Sequence, residues 1–535
     1  MNKTLSNFIL IVFLSLFFIN CANRGTPGGG PKDEDPPVII RSLPGNYSTN
    51  FKGKEIKVYF DEYVKIKDLQ KQLIISPPMS TQPEITPIGG ASKYITIKIH
   101  DTLEPNTTYA FNFGNSITDN NEGNPFPYYR YVLSTGDYID SLSVNGNIVD
   151  ALKTQPETFV SVALYEVDST FHDSIIYKET PKYITNTLDS LTTFSIENLK
   201  EGKYMLIALK DNNGDNKFQQ KSDQIAFYKD FINVPTDSLY TLKLFNETLD
   251  YRATKPRLIS GEKIAFGYES DYRGMAINLL SDVPSEFEYR ITKDPKADSL
   301  NFWYKPKLEV DSLLFNVTHP TFEKDFTVRI SKQKRDTLII MSAPNGIIRY
   351  KEPVKISGST PLISLDASKI TLIDQDSIQV DFTTEFDTIA NTYSFNFNKK
   401  EDFAYNMQIF PEAFIDFFDD TNDTLNLSFK TKKESEYGYA RFTLVNAEYP
   451  LIVQLTDKDG KVEFEQFVEN DEPLDFQNLN PKIYFIRVIH DANGNGQYDA
   501  GNYLKKIQPE NVSHFQEIEI RADWGLSETL QFTPE

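Results

Sequence analysis

One stretch of this sequence occurs twice, and the repetition limits the folds open to the chain. Residues 474–499 read LDFQNLNPKIYFIRVIHDANGNGQYD, and residues 194–219 read FSIENLKEGKYMLIALKDNNGDNKFQ. The two align without a gap at an offset of 280 residues, which places Asp211 opposite Asp491. In both copies alternating apolar residues follow a turn and end in a loop rich in Asp, Asn and Gly, the pattern of a half-buried strand that enters a loop. The repeat therefore predicts two related β-domains at separate places in the chain.

The length and composition of the chain favour several small β-domains. At 535 residues the chain exceeds what one hydrophobic core serves, and ordinary domain sizes predict about three to five domains. Aromatic residues are abundant, with 39 Phe and 29 Tyr, while the apolar runs are short and separated by turn signals, as in β-sandwiches. The formal net charge of −21 argues against nucleic acid or an anionic membrane surface as the main partner, because both reward clustered Lys and Arg.

Residues 1–20 have the features of a secretory signal peptide. Lys3 precedes an apolar run at residues 8–19, and the only cysteine of the chain, Cys21, follows this run. The run is too short and ends too abruptly for a spanning helix. A lone cysteine in this place resembles the lipoprotein signal of bacteria, which implies that Cys21 is acylated, for example with palmitate, and becomes the first residue of the mature protein. The alternative is an ordinary signal peptide with an incidental cysteine; in either case no disulfide framework is possible.

Residues 21–36, CANRGTPGGGPKDEDP, predict a flexible tether, because they combine glycines, prolines and a charge cluster. Ala22 stands beside the cysteine where the inner-membrane retention signal of lipoproteins has Asp, which favours the outer membrane. The acidic residues 33–35 resemble the export tags of surface lipoproteins in Bacteroidota. The resemblance implies a lipid-anchored protein of the outer membrane that faces the cell exterior.

Residues 37–136 carry the segments PPVIIRSLPG, IKVYFDEYV, LEPNTTYAFNFGNSITDNNEGN and YVLSTG in that order. Within the second segment Ile56, Val58 and Phe60 alternate with other residues, as one face of a sandwich core requires. This order of motifs resembles the bacterial Ig-like domain first described in S-layer proteins, in the version that follows the lipid anchor of Bacteroidota lipoproteins. The resemblance covers about a fifth of the chain and implies an Ig-like sandwich.

The remainder divides into four further predicted domains. Residues 137–250 and 434–535, which contain the two copies of the repeat, resemble the prealbumin-like or carboxypeptidase-regulatory-like β-sandwich, an accessory domain that implies no peptidase activity. Residues 251–350 and 351–433 contain more alternating runs and predict two Ig-like sandwiches. The fold class that we expect is therefore all-β, with tandem Ig-like and prealbumin-like β-sandwiches in a row behind a lipoprotein signal peptide.

The loop that ends the second copy has the spacing of a calcium loop. Oxygen side chains stand at positions 1, 3, 5 and 9, glycine stands at position 6, and position 7 offers a backbone carbonyl. The candidate ligands are Asp491, Asn493, Asn495, Gln497 and Asp499. Position 12 is Asn502 rather than a bidentate Glu, and a strand precedes the loop, so an EF-hand is excluded. The alternative is an Asn/Gly-rich turn that binds nothing.

The loop of the first copy is a weaker calcium candidate, because Asn216 stands in place of the glycine. Its candidate ligands are Asp211, Asn213, Asp215 and Gln219. No cofactor other than calcium is expected for either copy.

Two groups in the first domain admit a functional and a structural interpretation. Asp61, Glu62, Asp119 and Glu122 could gather around a cation, or they could solvate loops and strand ends. The aromatic run Phe126, Tyr128, Tyr129 and Tyr131 could form a sugar-stacking platform, or it could be the core and rim of a final strand.

The sequence offers no catalytic constellation. The five histidines are far apart and lack the spacing of a metal site, and there is no nucleophile elbow, P-loop or dinucleotide fingerprint. We therefore expect a non-enzymatic binding or scaffold subunit, accessory to an integral outer-membrane barrel complex in assembly, transport or secretion. The alternatives are a free-standing surface adhesin or glycan-binding protein and, third, a hydrolase with an unrecognised carboxylate site.

Overall fold

The structure is a computed structural model that describes residues 33–189 and 191–533. The predicted signal peptide, Cys21 and the tether up to residue 32 lie outside the described residues. Regular structure in the described ranges is almost entirely β, so the all-β prediction is confirmed. None of the helices described there is long and apolar enough to cross a membrane. The strands form five sandwiches, each around its own cluster of buried apolar side chains.

The first sandwich packs a five-stranded sheet on a three-stranded one. Its elements are β1 (Ile39–Leu43), β2 (Glu55–Ile66), α1 (Leu69–Gln72), β3 (Ile74–Ser76), β4 (Glu84–Thr86), β5 (Ser92–Lys98), β6 (Thr108–Asn112), β7 (Ile117–Asp119) and β8 (Arg130–Ser134). The larger sheet has the order β1-β2-β5-β4, with β7 on β2, and the smaller has the order β3-β6-β8. The alternating residues Ile56, Val58 and Phe60 are all buried, as the sequence pattern predicts.

The second sandwich contains the first copy of the repeat on β12 and β13. Its strands are β9 (Leu142–Asp150), β10 (Ser161–Glu166), β11 (Tyr183–Asn186), β12 (Thr193–Leu199), β13 (Gly202–Lys210), β14 (Gln224–Phe227), β15 (Ile232–Val234) and β16 (Leu239–Leu244). One sheet has the order β11-β10-β13-β14, with β15 on β13, and the other has the order β12-β9-β16.

The third sandwich has the sheets β17-β19-β22-β21, with β18 on β19, and β20-β23-β24. Its strands are β17 (Arg252–Ala253), β18 (Arg257–Ser260), β19 (Lys263–Glu269), β20 (Ala276–Leu279), β21 (Glu288–Lys293), β22 (Ser299–Lys305), β23 (Ser312–His319) and β24 (Phe322–Arg329).

The fourth sandwich begins earlier than the boundary placed at residue 350 from the sequence. Its strands are β25 (Ile340–Ala343), β26 (Gly346–Ile347), β27 (Val354–Gly358), β28 (Leu362–Leu365), β29 (Ile370–Asp374), β30 (Phe382–Asp387), β31 (Thr392–Phe397), β32 (Ala404–Ile409), β33 (Phe414–Asp416) and β34 (Leu425–Lys430). β25 pairs with β27 and β26 pairs with β34, so both belong with the later strands. The change of domain therefore falls between β24 and β25, where no turn signal in the sequence distinguishes it from other loops.

The fifth sandwich repeats the topology of the second. Its strands are β35 (Gly438–Val445), β36 (Leu451–Thr456), β37 (Val462–Val468), β38 (Leu474–Leu479), β39 (Lys482–His490), β40 (Val512–His514), β41 (Ile518–Ile520) and β42 (Gly525–Gln531). The orders β37-β36-β39-β40, with β41 on β39, and β38-β35-β42 match those of the second sandwich strand for strand. In both, the last strand lies parallel to the first. The repeat thus extends from sequence to topology.

The fifth sandwich returns to pack against the second, so the five domains are not the simple row expected from the sequence. Tyr503 is fully buried and joins an apolar cluster of the second sandwich, with its ring centroid 5.4 Å from that of Phe227. Its backbone N–H donates to the carboxylate of Glu247. A Cβ at Gly501 would lie 2.6 Å from the Phe245 ring, so only glycine allows this approach. The two copies of the repeat are therefore in direct contact.

Candidate functional site

The loop between β39 and β40 is organised by the carboxylate of Asp491, which is 1% exposed. Its two oxygens accept hydrogen bonds from the backbone N–H groups of Gly494 (2.8 Å), Asn495 (3.2 Å) and Gly496 (2.7 Å). Gly496 has φ +71°, a conformation that glycine adopts without strain. Asp491, at position 1 of the predicted calcium loop, therefore accepts a hydrogen bond from Gly496 at position 6, and this bond closes the turn.

Most of the other predicted ligands in this loop converge on Asp499. The side-chain amides of Asn493 and Asn495 both donate to Asp499 Oδ2, the second over 2.9 Å. The Gln497 side chain leaves the group, because its Oε1 accepts from Arg273 Nη2 of the third sandwich at 3.3 Å. Four of the five predicted side chains thus surround one turn, while position 7 retains only its backbone carbonyl.

Glu510 is a member of this group that the loop motif does not include. Its Oε1 accepts from the N–H of Ala492 and its Oε2 from the N–H of Asp499, both at 2.9 Å. Burial raises the pKa of the Glu510 carboxyl, and the nearby charges of Asp499 and Asp491 raise it further. Sequence reasoning missed Glu510, because no spacing rule points to a residue so far beyond the loop.

The loop has the donor chemistry of a hard-cation site but not its final arrangement. The side chains around it offer oxygen donors, which suit calcium. However, the two asparagine amides direct nitrogen toward Asp499, and calcium would need each amide rotated to present its oxygen. In the described part of the chain, no three His, Cys, Asp or Glu side chains are grouped closely enough to hold a metal ion.

The loop of the first copy folds on the same principle. Asp211 accepts from the N–H groups of Asn213 (2.9 Å), Gly214 (2.7 Å) and Asn216 (2.7 Å). Burial raises the pKa of its carboxyl against the effect of these bonds. Asp215 is held instead by the Gln219 amide, at 3.2 and 3.0 Å. The candidate ligands of the first copy therefore belong to two separate clusters, one around Asp211 and one around Asp215, and do not form one group.

The four carboxylates singled out in the first sandwich lie in one neighbourhood, because burial and the charges of Asp119, Asp61 and Glu122 raise the pKa of the Glu62 carboxyl. Asp119 is 2% exposed, and its carboxylate accepts from four consecutive backbone N–H groups, residues 121–124. In the aromatic run, Tyr129 and Tyr131 are buried in the core, and only Tyr128 is largely exposed. Asp119 thus anchors its loop, and of the four aromatic residues only Tyr131 lies on the final strand, β8, while the other three precede it.

The histidines do not form a common site among the described residues. His319 stacks on Tyr251 with 3.8 Å between ring centroids, and His490 Nε2 lies 2.9 Å from Ser513 Oγ. His514 lies in a cleft between the second and fifth sandwiches, beside Arg487.

Comparison with known proteins identifies the first sandwich. Residues 33–135 match the family model described as the bacterial Ig-like domain. The match covers about a fifth of the chain and agrees with the resemblance in the sequence of this domain. No protein of curated function matches the chain.

Several solved structures match the chain at low similarity. Domains 1–6 of the surface layer protein SbsC are 11% identical, with coverage of 85% of this chain and 65% of that chain and a TM-score of 0.14. The Bacillus anthracis TIE protein is 11% identical, with coverage of 94% and 76% and a TM-score of 0.14. Titin domains A168–A170 are 10% identical, with coverage of 51% and 97% and a TM-score of 0.14. Scores this low support no conclusion about function. Ig-like sandwiches are compatible with a non-enzymatic scaffold or adhesin.

Proposed function

We propose that this chain is a non-enzymatic, lipid-anchored protein of the outer membrane, facing the cell exterior, that serves as a scaffold subunit of an integral barrel complex in assembly, transport or secretion. The observation that carries the proposal is the set of contacts between its sandwiches. Successive sandwiches are joined by side-chain contacts, and the fifth also packs on the second. A chain of domains held in this way presents several surfaces in a fixed relation, which a scaffold needs.

The junctions between neighbouring sandwiches support this role. Between the first and second, the Arg130 guanidinium pairs with Glu197 and donates to Asn198 Oδ1 at 2.6 Å. Between the third and fourth, Trp303 is buried together with Phe417 and Phe418. Buried aromatic side chains at a junction resist hinge motion, because opening the junction would expose their apolar surface.

Membrane anchoring rests on the sequence alone. The apolar run before Cys21 and the tether that follows it are the features that support an acylated N-terminus. A tether of this composition would let the first sandwich stand away from the membrane surface.

Affinity purification of the tagged full-length protein from mildly solubilised outer membranes tests the proposal. Mass spectrometry of the purified material should find a barrel protein in stoichiometric amount. The matched control is Cys21→Ser, which cannot be acylated and should lose both the membrane fraction and the partner. Recovery of the acylated protein as a bare monomer would contradict the scaffold role.

A second candidate function, adhesion to glycans, is favoured by the outer face of the first sandwich. Tyr59 and Tyr94 lie opposite each other on β2 and β5 with 5.6 Å between ring centroids. The Arg41 guanidinium lies 4.7 Å from the Tyr59 ring centroid. Tyr94 is the exposed ring of the pair, and an exposed aromatic face suits stacking on a sugar ring. Binding to a glycan array that is lost in Tyr59→Ala/Tyr94→Ala would support this candidate.

The Asp491 loop is also proposed to bind calcium, with Asp491, Asn493, Asn495 and Asp499 as ligands together with the carbonyl of Gln497. Alternate oxygen side chains around a tight turn support the proposal. Isothermal titration of the full chain should show calcium binding that Asp499→Ala abolishes. Asp215→Ala, in the weaker loop, is the matched control and should retain binding at the Asp491 loop. Absence of heat at millimolar calcium would exclude the site.

A further inference from the structure

Each copy of the repeat has an edge strand at the same end of its larger sheet, β11 in the second sandwich and β37 in the fifth. Edge strands carry a row of unpaired N–H and C=O groups, which natural proteins usually cover or keep short. In the second sandwich this edge is covered, because β3 of the first sandwich lies against β11. Ser76 Oγ on β3 accepts the backbone N–H of Ile184 on β11 at 3.1 Å. The first copy therefore uses this edge for a contact with a neighbouring sandwich.

The residue of β37 at the position of Ile184 is Glu465. Through β10, Ile184 is in register with Ile207 of β13. Through β36, Glu465 is in register with Arg487 of β39, which is equivalent to Ile207 in the repeat. The N–H of Glu465 therefore points away from β36, as that of Ile184 points away from β10, because the N–H groups of a strand alternate between its two edges. Among the described residues it has no acceptor beyond its own sheet.

A groove of about 360 Å³ lies along this free edge, between the fourth and fifth sandwiches. Its lining consists of Phe464, Glu465 and Gln466 of β37, residues 475–478 of β38, and Arg349, Lys351 and Glu352 of the fourth sandwich. Val462 and Phe467 of β37 are 38% and 43% exposed. β37 is seven residues long, whereas β11 has four residues. The edge that β3 covers in the second sandwich is thus longer in the fifth, and it is accessible from the groove.

Charge and strand propensity decide which kind of segment fits this edge. Residues 462–472 contain five acidic residues and no basic one, and among the described residues only Glu463 of the five forms an ion pair, with Lys482. A second copy of the chain added through the same edge would bring carboxylates opposite carboxylates, which destabilises a strand pair. Residues 22–32 of the tether are unsuited as well, because their glycines and prolines disfavour a strand. A basic strand of another protein complements the edge.

We propose that the β37 edge binds an extended segment of a partner protein as an additional strand, with basic side chains on the face of Glu465. Side chains of a strand alternate between its two faces. Every second residue of the segment therefore lies on the face of Glu465, and the others lie on the face of Phe464, where apolar side chains suit the ring. Main-chain hydrogen bonds supply affinity in this mode of recognition, and the alternate side chains supply specificity. The proposal depends neither on the membrane anchor nor on the barrel complex.

The test uses the purified full chain and a seven-residue peptide, matched to the length of β37, in which lysine alternates with valine. Isothermal titration should give a Kd of about 100 µM, because a short strand must be ordered when it binds. Hydrogen-exchange mass spectrometry should show that the peptide protects residues 462–468, whereas β11, which is already covered, should not change. The same peptide with every backbone nitrogen methylated keeps its charge but cannot donate main-chain hydrogen bonds, and it should bind about tenfold more weakly or worse.

Two variants separate the contribution of the main chain from that of charge. Glu465→Pro removes the free N–H without interrupting the ladder to β36, because proline is tolerated on an edge strand where the N–H faces outward. It should weaken binding by about tenfold or more. Glu465→Gln keeps the N–H and removes the charge, so it should weaken binding by about two- to fivefold. Circular dichroism verifies folding, and Glu465→Gln keeps the test valid if Glu465→Pro does not fold.

The matched control is Glu528→Gln on β42, which removes a carboxylate from an exposed strand position that does not line the groove. It should leave binding unchanged. Three results would overturn the proposal: no protection of residues 462–468 at a peptide concentration about tenfold above that Kd, protection of another segment in their place, or equal binding of the methylated peptide.

Discussion

The two copies of the repeat share a topology but differ in what covers the outer face of their central strand. On β13 the outward residues Met205, Ile207 and Leu209 are all buried in an apolar cluster, to which Tyr503 of the other copy contributes. On β39 the matching positions carry Phe485, Arg487 and Ile489, and the cleft opens above the first two of them. The outer face of the central strand is thus covered by apolar side chains in the second sandwich, whereas it lines a polar cleft in the fifth. Ile207 in the first copy and Arg487 in the second copy occupy the same position on this face.

The largest effect should follow from placing the charge of the second copy in the first. Ile207→Arg buries a guanidinium among apolar side chains with no counter-charge and should cost about 3–5 kcal/mol of the free energy of unfolding. Urea denaturation of the full chain measures the loss. The matched control is Ser195→Arg on an exposed strand position of the same sandwich, which should change stability little. Equal stability of the two variants would show that the outer face of β13 is not sealed.

The next effect concerns the contact between the copies. Tyr503→Ala removes a buried aromatic side chain and leaves a cavity, which should cost about 3–4 kcal/mol and loosen the fifth sandwich from the second. Limited proteolysis within residues 491–511 should become faster, and the thermal transition should fall. Leu504→Ala, at an exposed neighbour, should leave both unchanged. An unaltered cleavage rate in Tyr503→Ala would mean that the copies do not dock in solution.

The loops offer a finer comparison of the copies. Asp491→Ala and Asp211→Ala each leave three backbone N–H groups without an acceptor, and each should cost about 1–3 kcal/mol in the absence of calcium. The cost should be larger at Asp491, because Asp491 is almost fully buried whereas Asp211 is only partly buried. Denaturation in the presence of a chelator measures both. A larger loss for Asp211→Ala would reverse the comparison.

The smallest effect is a dependence of docking on pH. Burial raises the pKa of the Glu247 carboxyl, which accepts the N–H of Tyr503 across the contact. Because the pKa in the folded state lies above that of the unfolded chain, the associated stability is present at low pH and is lost as the pH rises through the folded pKa. The difference in stability between wild type and Glu247→Gln should therefore shift in favour of Glu247→Gln as the pH rises from about 4 to 8. Parallel pH profiles of the two proteins would contradict this assignment.

Much of the local architecture could be predicted from the sequence. Alternation at Ile56, Val58 and Phe60 predicted a strand with one buried face, and those side chains are buried. The gapless match of the two copies predicted related β-domains, and their sheets have the same strand order. Asp491 and Asp211, predicted from the sequence as calcium ligands, each organise a loop through hydrogen bonds from backbone N–H groups, and calcium binding stays a prediction. These features depend on contacts between residues close in sequence or on a repeated pattern.

Other features had no local signal. Glu510 joins the Asp491 loop from outside its motif, and the pairing of β25 with β27 moved a domain boundary that turn residues alone did not mark. Arg487 lies in an otherwise apolar strand pattern, where its position above an inter-domain cleft is not visible. In each case the partner lies beyond the window over which periodicity and turn chemistry operate.

The sequence by itself determined that this is an all-β chain of several sandwiches, two of them copies of one unit, because side-chain alternation and turn residues act over a few positions. Only the tertiary structure decided that the two copies meet. That contact joins Phe227 and Glu247 to Tyr503 across more than 250 residues, and it depends on the shape of two finished surfaces. The cleft beside Arg487 forms because the second and fifth sandwiches are in contact. Complementarity between two folded surfaces produces no periodic pattern in the sequence, so the sequence could not predict this contact.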